Sequence, residues 1–109
     1  MADFHLKVGD TKEPINATCL DSAGAIVDLT GATVVFRMAQ FGSGARKVNA
    51  TATIVSAAAG TVRYQWLTAD VNTAGEYEGE FRVTFSGGAI QSFPNASTIS
   101  ILIHQDEGA

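Results

Sequence analysis

Cysteine is almost missing from this sequence, and its scarcity excludes two ways of holding a small domain together. Cys19 is the only cysteine among 109 residues. A single thiol can form neither an intrachain disulfide nor a metal site built from several thiolates. The fold therefore has to be held together by packing of apolar side chains, and 46% of the residues are of hydrophobic type.

Charge is also scarce, and positive charge most of all. Only 17% of the residues are charged, with 7 Lys and Arg against 11 Asp and Glu, and the net charge is -4. Binding to a nucleic-acid backbone depends on basic side chains that release counterions from the phosphates. Nucleic acid is therefore not an expected partner.

Long apolar runs are missing as well. No uninterrupted apolar run approaches the roughly 18 residues that would span a bilayer. The N-terminal sequence Met1-Ala2-Asp3-Phe4-His5 has no basic stretch followed by an apolar segment, which a secretory signal requires. We expect no membrane insertion, and we expect the chain to be made and folded in a cytoplasm.

What the sequence has in quantity is the alternation of apolar and polar residues that is typical of β-strands. The alternation is clearest from Glu76 to Phe85, where one face carries Tyr77, Gly79, Phe81, Val83 and Phe85. The opposite face carries Glu76, Glu78, Glu80, Arg82 and Thr84. A slip of one residue would bury three carboxylates, so the register of this strand is strongly specified. Buried positions are predicted for Tyr77, Phe81, Val83, Phe36, Trp66 and Ile101.

The same period predicts short strands along most of the chain, over 4–8, 15–19, 33–38, 51–55, 61–66, 76–85, 89–93 and 99–104. Ser86-Gly87-Gly88 is a hairpin turn, and Pro94 should end the strand before it or place that strand on a sheet edge. Residues 68–73 are the one weak helical candidate. Residues 1–109 are therefore predicted to form one all-β domain, an antiparallel β-sandwich of about seven to nine strands, with a short polar tail over 105–109.

The residues that lead into the strand over 76–85 indicate which kind of β-sandwich to expect. In immunoglobulin-like domains a turn precedes the corresponding strand, and a Tyr near the start of the strand donates a hydrogen bond from its hydroxyl to the upstream backbone. The same form is found here in the sequence Thr73-Ala74-Gly75-Glu76-Tyr77. Tyr77 is therefore either such a tyrosine corner or an ordinary core tyrosine after a turn. Gly79 stands where an antibody domain has its second cysteine, so an immunoglobulin-like fold here would lack the disulfide.

Turn and core residues spread over 6–103 carry a family resemblance. They are Asp28-Leu29-Thr30-Gly31-Ala32-Thr33-Val34, Phe36, Met38, Gly60-Thr61-Val62-Arg63-Tyr64-Gln65-Trp66, Ala74-Gly75-Glu76-Tyr77 and Phe93-Pro94-Asn95. With these residues the chain resembles the immunoglobulin-like N-terminal domain of the phage baseplate upper protein family. The resemblance implies a structural component of a tailed-phage virion, in the tail or baseplate, that is assembled in the bacterial host cytoplasm. Its implied partners are other phage structural proteins and further copies of itself.

No group of residues has the spacing of a catalytic, cofactor or metal site. His5 and His104 lie near opposite ends of the chain and have no further ligand at a metal-binding spacing, so they are expected on solvent-facing strand positions. Gly42-Ser43-Gly44 is only a fragment of a nucleophile elbow. Cys19 alternates inward with Ile15 and Ala17 and is expected to be a buried core thiol. We expect no enzyme activity and no cofactor.

The row of acidic side chains on the outer face of the strand over 76–85 is the strongest candidate for a subunit interface. Glu76, Glu78 and Glu80 align on one face with Arg82 next, and aligned like charges repel unless neighbours or a partner offset them. Phe41, in its glycine-rich loop, is the one aromatic residue that does not alternate inward. The other interpretation is a solvated outer sheet face balanced by Arg37 or Arg63. Calcium binding by this row is poorly supported, because a flat strand makes the carboxylates diverge.

Three functions are compatible with these observations. The first is a virion structural protein that acts through contacts between subunits. The second is an immunoglobulin-like recognition module whose loops bind a glycan or a host-surface protein, and the third is a capsid decoration protein. Rigid sheet faces, strand edges and loops are the features that the first hypothesis requires.

Overall fold

Nine strands and one short 3-10 helix make up the fold in a computed structural model that describes residues 4–44, 46–93 and 99–105. The strands are β1 (Phe4–Lys7), β2 (Ile15–Thr18), β3 (Thr33–Gln40), β4 (Arg46–Thr51), β5 (Thr53–Ser56), β6 (Thr61–Tyr64), β7 (Gly75–Thr84), β8 (Ile90–Phe93) and β9 (Ile99–His104). The helix, Thr68–Val71, lies between β6 and β7. The predicted all-β, immunoglobulin-like sandwich without a disulfide is confirmed. No helix within the described ranges has the length and apolar character needed to cross a membrane.

Two sheets pack face to face. The larger sheet has the order β1-β9-β7-β3-β4, with β8 also paired to β7, and the smaller sheet has the order β2-β6-β5. Strand β7 lies at the centre of the larger sheet, with β3 along one edge and β8 and β9 end to end along the other. All strand pairs are antiparallel except β1 with β9, which is parallel.

The core lies between the sheets, and the predicted inward faces form it. Phe36, Phe81, Val83 and Ile101 are fully buried, and Trp66 and Tyr77 are nearly so. The Phe36 ring stacks on Tyr64 with centroids 4.8 Å apart and meets the edge of Trp66 at 5.6 Å. The register predicted for residues 76–85 is therefore correct, because Phe81 is buried while Glu80 on the same strand faces outward.

The tyrosine corner is present. The Tyr77 hydroxyl donates a hydrogen bond to the backbone carbonyl oxygen of Thr73 at 2.9 Å. At Gly79 a Cβ atom would lie 2.9 Å from Ile101 Cδ1 and 3.0 Å from Phe36 Cζ. The space that a cysteine would need in this strand is therefore filled by the Phe36 ring and the Ile101 side chain.

A second buried tyrosine fixes the turn between the sheets. The Tyr64 hydroxyl donates to Asp70 Oδ2 at 2.6 Å, and the Leu67 backbone N–H donates to the same oxygen at 2.8 Å. Burial, followed by the hydrogen bond and the charge of Asp70, raises the pKa of Tyr64. The predicted helical segment 68–73 is thus a short 3-10 turn over Thr68–Val71, anchored by the Asp70 carboxylate.

The prediction of one strand over 51–55 was wrong. The chain instead forms β4 over Arg46–Thr51 in the larger sheet and β5 over Thr53–Ser56 in the smaller sheet. Ala52, between them, is buried, and its N–H donates to the Val34 carbonyl oxygen at 2.8 Å. The strand Arg46–Thr51 was therefore not predicted, and the chain crosses from one sheet to the other at Ala52.

The other predicted strands are present. Phe4–Lys7 pairs within its own sheet, along β9, and Ile15–Thr18 places Ile15 in the core. Residues 90–93 return beside β7 after the predicted hairpin turn. The predictions for Pro94 and for tail residues 106–109 lie outside the described residues.

Candidate functional site

The predicted interface row lies along the outer face of the larger sheet. Glu76, Glu78, Glu80 and Arg82 alternate along β7 with the buried residues Tyr77, Gly79, Phe81 and Val83. Because β7 has paired strands on both sides, this row runs down the middle of the sheet surface rather than along an edge. The row is therefore bordered on both sides by hydrogen-bonded strands of the same sheet, which form a broad, rigid surface around it.

Phe41 lies at one end of the same row. Its backbone N–H donates to the Glu76 carbonyl oxygen at 2.9 Å, which extends the β3–β7 ladder by one pair beyond Gln40 and Tyr77. The Phe41 side chain is 58% exposed. We name the surface formed by Phe41, Glu76, Glu78, Glu80 and Arg82 the β7 face. The structure brings together on it all five residues that the sequence singled out.

Arg37 pairs with the acidic row, whereas Arg63 does not. Arg37 is directly opposite Glu80 in the β3–β7 register, and its guanidinium lies 3.8 Å from the Glu80 carboxylate. Arg63 lies on β6 in the smaller sheet, where its Nε donates to Asn16 Oδ1 at 3.0 Å. Of the two arginines named for balancing the acidic row, Arg37 therefore takes that role and Arg63 does not, because the sandwich places Arg63 and the row in different sheets.

The two histidines are neighbours in space. His5 Nδ1 lies 2.9 Å from His104 Nε2, so the two rings share a hydrogen bond, with their centroids 5.2 Å apart and their planes inclined by 17°. Both side chains are exposed, as the alternation predicted. The sequence analysis missed their contact because no local pattern reveals that the first and last strands pair in parallel.

Cys19 is buried among apolar residues, as predicted. It has no exposed surface, and burial raises its pKa from 9.0 to about 11. A thiol in this state is protonated at neutral pH and is a poor nucleophile.

A cleft opens between the two sheets where β1 and β2 form their edges. Its volume is about 520 Å³, and its apolar walls are formed by Phe4, Ile15, Leu20, Phe93 and Ile99. No signal in the sequence indicated this cleft, since its walls come from both ends of the chain. Within the described residues, no group of three or more His, Cys, Asp or Glu side chains is placed to hold a metal ion.

The fold and these surfaces define a β-sandwich domain with a charged sheet face and open strand edges. No family model and no curated protein sequence matches the chain. Among solved structures the chain is similar to CopC from Methylosinus trichosporium OB3b, with a TM-score of 0.56 and 15% sequence identity over 100% of this chain and 90% of that one. At this identity the similarity concerns the fold alone.

Proposed function

We propose that this protein is a non-enzymatic structural component of a tailed-phage virion, in the tail or baseplate, that acts through contacts between subunits. Its partners are other phage structural proteins and further copies of itself. The family resemblance of the turn and core residues supports the phage assignment. The observation that carries the subunit-contact part is the β7 face, where an exposed aromatic ring adjoins an ordered row of charges.

The β7 face combines two features that protein interfaces need. Phe41 offers a large apolar side chain, and aromatic residues are enriched where interfaces bury most surface. The adjoining row of carboxylates, in which Glu80 pairs with Arg37, favours a neighbour that carries basic residues. In a symmetric array such a contact can be weak, because copies already held together convert later contacts into intramolecular ones.

Open strand edges provide a second kind of contact. Strands β1 and β4 end the path of the larger sheet, and β2 and β5 are the edges of the smaller one. Edge strands carry unpaired backbone groups that pair with strands of other chains. The sandwich therefore has both a face and edges for assembly.

Purified particles of a phage that encodes this chain test the proposal directly. Mass spectrometry should find the chain in intact virions, and cryo-electron microscopy should locate it in the tail or baseplate. Phe41→Ser and Glu76→Lys should each reduce its incorporation at least about tenfold, the usual effect of losing an interface hot spot. Leu67→Ser, a similarly exposed apolar residue between β6 and the 3-10 helix and outside the strand edges, and Glu13→Lys serve as matched controls and should leave incorporation unchanged.

Absence of the chain from intact virions would overturn the proposal. A location on the capsid exterior would favour the capsid decoration protein instead. Equal loss of incorporation in the Phe41 and Leu67 variants would show that the β7 face is not the contact surface.

The cleft favours one alternative, an immunoglobulin-like recognition module for a host-surface protein. Its walls are mostly apolar, so it suits an apolar side chain of a protein ligand better than a glycan. Leu20→Asp, at the exposed rim, should abolish binding to host cells if this alternative is correct. It should have no effect on virion incorporation through the β7 face.

A further inference from the structure

Two arginines lie beside the β7 face, on the strands along one side of it. Arg37 is on β3, directly opposite Glu80. Arg46 is on β4, and Ala39 of β3 separates it from Glu78 in the same cross-strand row. The outer surface of the larger sheet therefore carries its carboxylates along β7 and these two guanidinium groups along β3 and β4. A surface with its two signs in neighbouring columns is complementary to a second copy of itself across a two-fold axis.

We propose that the β7 face pairs with the same face of a second copy of this chain, across a two-fold axis that runs parallel to the strands between β7 and β3. This inference rests on the proposed role of the β7 face as a subunit contact. It names the partner, which is the chain itself rather than a different basic protein.

The pair formed by Arg37 and Glu80 carries the first contact. A two-fold rotation about this axis exchanges the columns of β7 and β3, so Glu80 of each copy stands over Arg37 of the other. Within one chain the two charged groups are 3.8 Å apart, and their side chains keep 28% and 24% of their surface exposed, so each can meet a second partner. Two carboxylates and two guanidinium groups then alternate in one cluster, in which every charge adjoins charges of opposite sign.

A shallow depression in the sheet surface fits the second contact. Its volume is about 200 Å³, and it lies where the small side chain of Ala39 leaves space between Glu78 and Arg46. The same rotation places Glu78 of the second copy over Ala39. Neighbouring strands are about 4.8 Å apart, so a carboxylate over Ala39 is within reach of the long side chain of Arg46 on the next strand. We therefore expect this depression to receive the Glu78 side chain of the other copy.

The net charge of the chain determines the conditions of the test. Each copy carries a net charge of -4, so two copies repel one another at long range and the dimer should be weak. Salt at about 0.15 M screens charges that are more than about 8 Å apart and leaves close pairs less affected.

The experiment is sedimentation equilibrium of the full chain in this salt, at concentrations from about 10 µM to about 1 mM, where weak contacts form. We expect the average mass to rise towards that of a dimer. Arg37→Glu and Glu80→Lys should each weaken self-association about tenfold or more, because like charges then face each other across the axis. An equimolar mixture of these two variants should associate again, since one copy then presents two carboxylates to two cations of the other.

Matched controls separate this contact from the effect of net charge. Lys12→Glu and Glu13→Lys make the same changes of charge in the loop between β1 and β2, so they should leave self-association unchanged. Ala39→Gln fills the depression without a change of charge and should weaken the dimer. A cooperative melting transition confirms that each variant is folded.

Three results would overturn the proposal. They are a chain that stays monomeric over the whole concentration range, folded Arg37 and Glu80 variants that do not associate when mixed, and an equal loss of association in the control variants. Mass spectrometry of virions tests the proposed function separately. A monomeric chain that is nevertheless found in virions would reject only the self-pairing, and it would identify a different protein as the partner of the β7 face.

Discussion

The Tyr77 hydroxyl closes the turn into the central strand by donating to the Thr73 carbonyl oxygen at 2.9 Å. Tyr77→Phe keeps the buried ring and removes only this bond, so it should lower the free energy of unfolding by about 0.5–1.5 kcal/mol. Urea denaturation followed by Trp66 fluorescence measures the change.

Tyr64→Phe provides the comparison for that variant. It removes a bond to the Asp70 carboxylate, and hydrogen bonds to charged groups contribute more, about 1.5–3 kcal/mol. A loss in the Tyr77 variant that matches or exceeds the loss in the Tyr64 variant would contradict this ranking.

Gly79→Ala should destabilise the domain by about 1–3 kcal/mol, because its methyl group would press on Phe36 and Ile101 in a filled core. Gly87→Ala is a suitable control, since nothing lies within 4 Å of a Cβ there. Thermal unfolding of both variants measures the difference, and an unchanged melting temperature for Gly79→Ala would show that the core can repack.

Because of Cys19, we expect the free energy of unfolding to fall in alkaline solution. Burial raises the pKa of its thiol from 9.0 to about 11, so the unfolded chain ionises first as the pH rises. The contribution of the neutral, buried thiol to the free energy of unfolding is therefore complete below about pH 9 and declines as the pH approaches 11. In Cys19→Ala this part of the decline should be missing from denaturation curves measured between these pH values. An identical pH dependence in both proteins would argue against a buried, neutral thiol.

Removal of residues 1–8 should impair folding. Strand β1 buries Leu6, and Phe4 packs on Trp66 with ring centroids 6.0 Å apart. Loss of these contacts should lower the free energy of unfolding by more than about 2 kcal/mol. It should also leave the backbone edge of β9 without its paired strand. Circular dichroism on heating tests this, and a truncated chain that melts like the full one would show that the segment contributes little.

Much of the fold was predictable because the strand period is a local property of the chain. The alternation around Phe81 indicated which face of β7 is buried, and the Glu row followed from the same register. The tyrosine corner was also visible locally, since Tyr77 and Thr73 are only four positions apart. The alternation over 51–55, by contrast, could not show that the chain changes sheets at Ala52, since a strand has the same period in either sheet.

Contacts between distant strands were decided only by the tertiary structure. Alternation by itself placed Phe81 inside and Glu80 outside, because burial depends on the face of a residue's own strand. It did not say that Arg37 rather than Arg63 would meet Glu80, or that His5 would meet His104. Those pairs depend on which strands become neighbours and in what register, and core packing across the whole domain determines that choice.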